Sequence, residues 1–190
     1  MRFLTQIFSE WIGNIDMDTL EAIHTRRSIR KYTDRPVSQE LVTELLRAAM
    51  SAPSAVNSQP WVFIVIDDRK LLEEIPTFSP YAGMCREASL AILICGDTTQ
   101  EKVPGYWVQD CSAATQNLLL AAHAVGVGAV WTGIYPIKDR IEGFRKAFGL
   151  PEHVIPLAFV PIGYPAQTPG PQDRYREEKV YHNRYGQKKK

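Results

Sequence analysis

Most of the features that usually declare a function are missing from this chain of 190 residues. It has three cysteines, Cys85, Cys95 and Cys111. That odd number, without C-x-x-C spacing, argues against a disulfide framework and gives no zinc-ligand pattern, so no metal site is expected. The cysteines read as small buried hydrophobes with free thiols, which suits the cytoplasm. Charge of one sign is also lacking: 22 Lys+Arg against 21 Asp+Glu leave a formal +1. That balance removes the usual reason to propose nucleic acid or an acidic membrane as partner. The longest apolar runs, from Trp61 and from Leu90, fall far short of the ~20 residues that span a bilayer. The segment before Met17 carries Glu10 and no small-residue cleavage site, so it does not read as a signal peptide. There is no G-x-x-x-x-G-K, G-x-G-x-x-G, G-x-S-x-G or H-E-x-x-H, and the four histidines are scattered.

What is present is a chain able to build a core, with 45% hydrophobic residues. Phe3, Leu4, Ile7, Phe8, Trp11 and Ile12 form one apolar helical stripe, so residues 1–15 read as an appendage that packs on the protein or a partner subunit. A helix fits 16–25, capped by Asp16 or Asp18, and a second starts after Ser38, with Leu41, Val42, Leu45 and Ala49 inward. Trp61–Ile66 and Leu90–Cys95 read as strands covered on both faces. Residues 155–162 repeat that pattern, but Pro156 and Pro161 predict an edge or bulged strand. Helices are expected over about 107–125, stopped by Gly126, and over 137–148, stopped by Gly149. From about residue 165 an extended, polar arm begins. Alternating helices and strands place the chain among mixed α and β folds.

Two local signals carry chemistry. Arg26, Arg27, Ser28 and Arg30 set three guanidiniums and a hydroxyl within five residues. They suit a phosphate, which arginine clamps bidentately, or else form a solvated basic turn paired with Asp34. The stretch 52–61 packs Pro53, Ser54, Asn57 and Gln59 between a helix end and a strand. Its amides suit the edge of a heterocycle, or simply close an Asx/Ser turn.

Four blocks in order, RRSIRKY from Arg26, APSAVNSQPW from Ala52, QDCSAATQNLLLAAHAVGVGAVWTG from Gln109 and RYREEKVYHNRY from Arg174, resemble the FMN-dependent nitroreductase family. The resemblance runs from about Met17 to Tyr185. It implies an α+β fold, with a central, mostly antiparallel sheet flanked by helices, in an intertwined homodimer with FMN at the subunit interface. By the same resemblance Arg26, Arg27 and Ser28 hold the FMN phosphate and ribityl chain, completed by Arg174 and Arg176. Arg30 approaches the pyrimidine side of the ring. Pro53, Ser54 and Asn57 cover it from the partner subunit, with Gln59 at its edge. Trp131, Thr132 and Gly133 bring backbone groups near N5 and O4. The long helix, with Ala113, Ala114, Ala121 and Ala122, would form the dimer seam.

The activity implied is an NADH- or NADPH-dependent oxidoreductase, passing hydride through flavin N5 by ping-pong kinetics to nitroaromatic, quinone or similar acceptors. No side chain need act as acid or base. The segments 76–84 and 97–106 read as substrate-facing loops. A non-enzymatic flavin-storing dimer is the alternative, and turnover separates the two.

Overall fold

The computed structural model describes residues 17–170 and 172–189. The N-terminal stripe lies outside them. Helix α1, Thr19–Thr25, starts at Asp18, whose carboxylate accepts from the Leu20 and Glu21 N–H groups. Helix α2, Gln39–Met50, starts at Ser38, whose Oγ accepts from Leu41 N, and it turns Leu41, Val42, Leu45 and Ala49 inward. Strand β1, Trp61–Ile66, is followed by helix α3, Arg69–Phe78, capped by Asp68. Strand β2, Leu90–Asp97, leads to the long helix α4, Trp107–Ala124. The short strands β3, Gly128–Ala129, and β4, Thr132–Gly133, precede helix α5, Lys138–Phe148. Strand β5, Val154–Gly163, completes the sheet.

Every strand pairing is antiparallel, in the order β1-β2-β5-β3 with β4 also on β5. The expected α+β class therefore holds. Alternation along β2 divides the core into two layers. Leu90, Ile92 and Ile94 meet α2 and α4 through Leu45, Leu118 and Ala122. Ala91, Leu93 and Cys95 face Leu72, Ile75 and Phe144 of α3 and α5. Ala114 and Ala122 are buried in this chain's own core, whereas Ala113 and Ala121 are half-buried. The latter two pack against the same core from its margin.

Strand β5 corrects one expectation. It is bulged, since the register to β2 shifts between Ile94 and Cys95, with Pro156 opposite Cys95. It is not an edge, because β2 lies on one side and β3 and β4 on the other. Ala129↔Ile162 and Thr132↔Phe159 keep one register, so the gap between β3 and β4 falls opposite Pro161. Proline has no N–H to give there, and its carbonyl accepts instead from Tyr32 Oη at 3.1 Å. The central position thus tolerates proline by interrupting the neighbouring strand.

Helix α3 was not expected, and Pro76 in its last turn hides it. Proline deprives the Leu72 carbonyl of its helical donor. Cys85 Sγ lies 3.1 Å from that oxygen and shares its one S–H between it and the Ala82 carbonyl at 2.6 Å. The supposed loop 76–84 is thereby the end of α3 and a 3-10 turn, Pro80–Arg86.

Candidate active site

The basic stretch leaves α1 in extended form and is pinned as it goes. Ile29 is buried; its N–H donates to Ala129 O at 3.0 Å, and its carbonyl accepts from Tyr32 Oη at 2.7 Å. Fixing Ile29 separates the cations on either side of it. Arg26 and Arg27 border one cavity of about 680 Å³, with Gly170 and Arg174 of the arm on its other wall. Arg27 ties the arm down, donating from Nε to Gly170 O and from Nη1 to His24 O and Arg26 O. Arg174 donates through Nε and Nη2 to Gln172 Oε1. Burial first, then Arg174 and Arg27, lower the Arg26 pKa below its ordinary value. Like charges are crowded there, which is the electrostatic condition of an anion site. Ser28 is half-buried beside this wall but does not line the cavity.

Arg30 borders a second cavity, of about 450 Å³. Trp131, Thr132 and Gly133 line the same cavity, together with Tyr81, Met84 and Arg140. Arg140, on the first turn of α5, donates from Nη1 to Gly133 O at 2.8 Å. Its guanidinium carbon also lies 5.0 Å from the Tyr81 ring centre.

Pro53, Ser54, Asn57 and Gln59 line neither cavity. They form a tight loop between α2 and β1 in which Val56, Asn57 and Gln59 have φ of 46°, 54° and 51°. Non-glycine residues occupy that left-handed region at a cost, so the loop must be held. Ser54 Oγ accepts from Gln59 N at 3.0 Å, and Gln59 Nε2 donates to Asn57 Oδ1 at 3.0 Å. Asp110 of α4, only 5% exposed, accepts from Ala55 N at 3.0 Å. The segment 97–106 meets this loop through Lys102, whose Nζ donates to Val56 O. Arg176 stands apart from both cavities, donating to Tyr175 O in the exposed arm.

The structure thus unites Arg26, Arg27 and Arg174, and separately Arg30 with residues 131–133. It leaves 53–59 and Arg176 elsewhere in the chain. Sequence reasoning missed Arg140 and Asp110, whereas Tyr81 and Met84 fall in the segment 76–84 that it expected to face substrate. Asp110 could have been found: Trp107, Cys111, Ala114 and Leu118 mark the inward face of α4, and a carboxylate adjoining that stripe is anomalous.

Known proteins resemble the chain in sequence and in fold. The model of the family described as "Nitroreductase family" matches residues 23–92 and 79–164. A protein of Methanothermobacter thermautotrophicus named "Putative NADH dehydrogenase/NAD(P)H nitroreductase" is 56% identical over 165 residues, 87% of this chain and 86% of that protein. A crystal structure of a protein with that same name from Parabacteroides distasonis superposes with a TM-score of 0.85 at 48% identity, covering 88% of this chain and 98% of that one. An FMN-dependent nitroreductase from Clostridium difficile superposes at 0.81 with 27% identity, over 88% and 100%. The chain belongs to the nitroreductase family.

Proposed function

We propose that the protein is an FMN-dependent NAD(P)H oxidoreductase that works as a homodimer in the cytoplasm, with nicotinamide donor and electron acceptor taking turns at one cavity. The observation that carries the reading is the division of one short segment between two cavities. Arg26 and Arg27 serve the first and Arg30 the second. Four residues of extended chain reach about 13 Å, a span suited to a ligand with a phosphate at one end and a flat ring at the other.

The residues fit FMN on the structure's own terms. Arg26, its pKa lowered by burial first and then by Arg174 and Arg27, would gain a counter-charge from a phosphate dianion there. Arg30, exposed at the second cavity, supplies positive charge to the ring's pyrimidine edge, and the backbone of Trp131, Thr132 and Gly133 supplies hydrogen-bonding groups. When bound, FMN provides the ring that accepts a hydride and returns electrons to an acceptor. Ser28 would support the phosphate end and Arg176 the arm that closes it. Pro53, Ser54, Asn57 and Gln59 point to the twofold partner: in their own chain they line neither cavity, yet their loop is held in a costly conformation. Each subunit would then contribute to both sites.

The test is the visible spectrum of the purified protein, recorded without oxygen before and after NADH or NADPH. A flavin spectrum that bleaches is the expected result. A flavin spectrum that persists with both donors would favour storage, and a colourless protein that takes up no added FMN would overturn the reading.

A further inference from the structure

We infer that the cavity beside Arg140 selects acceptors that carry a carboxylate on a planar ring. The inference rests on the proposed function, since it names the acceptor class of that site. Two guanidiniums, Arg30 and Arg140, border the cavity, and among the described residues no carboxylate does. Arg30 is already proposed to serve the flavin ring; Arg140, which lines the same cavity, is given no role by that reading.

Arg140 is half-buried and so has lost part of its hydration. Its one recorded hydrogen bond uses Nη1, and the partner is the neutral carbonyl of Gly133 at 2.8 Å. Neither ion pair found among the described residues, Arg69–Glu73 or Arg145–Glu142, includes it. A positive charge in that position keeps several donors in a fixed fork, the geometry that takes a carboxylate on two bonds. The contact with Tyr81 orients the guanidinium, and the tyrosine ring, 69% exposed, offers a flat face for stacking. A neutral acceptor would gain from the ring and leave the charge unmatched.

For a nitro acceptor the reaction balances simply. The nitro group takes a hydride originating from NAD(P)H and a proton from solvent, loses one oxygen as water and becomes a nitroso group.

The test compares 4-nitrobenzoate with 4-nitrobenzyl alcohol, which share the ring and the nitro group and differ in charge. With the holoenzyme, KM for the carboxylate should be about tenfold lower than for the alcohol, the worth of one charge-assisted pair. The advantage should shrink between ~20 mM and ~500 mM salt. Arg140→Gln should raise KM for the carboxylate about tenfold relative to the alcohol. Equal KM values in the parent enzyme, or equal shifts for both acceptors in the variant, would overturn the proposal. So would an effect confined to KM for NADPH, which would assign Arg140 to a donor phosphate. Binding supplies an arm independent of turnover and of the variant's folding. Benzoate, but not benzyl alcohol, should perturb the flavin absorbance of the parent holoprotein saturably and in a salt-sensitive way. No such perturbation would overturn the inference while leaving the oxidoreductase intact, whereas failure of NAD(P)H to bleach the flavin strikes the proposed function itself.

Discussion

Gly128→Ala should loosen both the fold and the cofactor site. A Cβ at residue 128 would lie 2.6 Å from Ile29 Cγ2 and 2.8 Å from Ile29 Cβ, both far inside contact distance. Neither side can yield easily. Gly128 pairs with Gly163 of β5, and Ile29 is tethered by its N–H to Ala129 O. Overpacking of this kind costs about 1–3 kcal/mol. Replacing glycine by alanine returns about 0.4–1 kcal/mol through the unfolded chain, so the steric effect wins by ~1–2 kcal/mol. For a chain of this size that lowers Tm by roughly 2–8 °C. The displaced residue sits between Arg27 and Arg30, so FMN occupancy should fall as well. Calorimetry and the flavin-to-protein absorbance ratio read the two effects. Ile29→Ala removes Cγ2 but keeps Cβ, so in that background Gly128→Ala should cost about 1 kcal/mol less. Gly83→Ala is the control: a Cβ there meets nothing within 4 Å. A Gly128→Ala protein as stable and as yellow as the parent would refute the reasoning, as would an unchanged cost in the Ile29→Ala background.

Other perturbations read other parts of the account. Asp110→Ala strands the Ala55 N–H and should cost ~1–3 kcal/mol in urea unfolding. Proteolysis within 54–59 should quicken, and an unchanged cleavage rate would show that Asp110 does not hold the loop. Burial raises the thiol pKa of Cys85 to about 11 and those of Cys95 and Cys111 to about 12. A thiol reagent at mildly alkaline pH should therefore find none of the three until the protein unfolds; rapid labelling of the native protein would contradict their placement. His123 has its pKa lowered from 6.5 by burial and by Arg26 and Arg27. The unfolded chain takes up that proton first, so stability is intact above 6.5 and falls as pH drops through it. His123→Gln should flatten that decline, and a slope identical to the parent's would assign it to other groups.

Much of the fold was legible because its signals are local. Asp18 and Ser38 cap the helices they were expected to cap, and Gly149 ends α5 in the left-handed conformation. Where proline occurs, local rules misled. Pro161 is tolerated in a central strand by a gap in its neighbour, and Pro76 is tolerated in α3 by a thiol from another turn. Both compensations come from residues distant in sequence. The arginine cluster was visible as composition, but Arg174 joins it only because Arg27 binds the arm at Gly170. Arg140 was illegible: it sits on an ordinary charged helix, and only the folded chain shows its bond back to Gly133, seven residues earlier. The loop 53–59 reads as a turn in sequence, and the left-handed backbone of Val56, Asn57 and Gln59 could not be read there.

Arg26, Arg27 and Arg174 are proposed to hold the phosphate of the cofactor. Titrating the apoprotein with FMN and with riboflavin, which lacks only the phosphate, tests this most directly. FMN should bind at least about a hundredfold more tightly, as expected for several charge-assisted bonds to a dianion. Arg26→Ala should erase most of that difference. Equal affinity for the two flavins, or a preference that survives Arg26→Ala undiminished, would contradict the account.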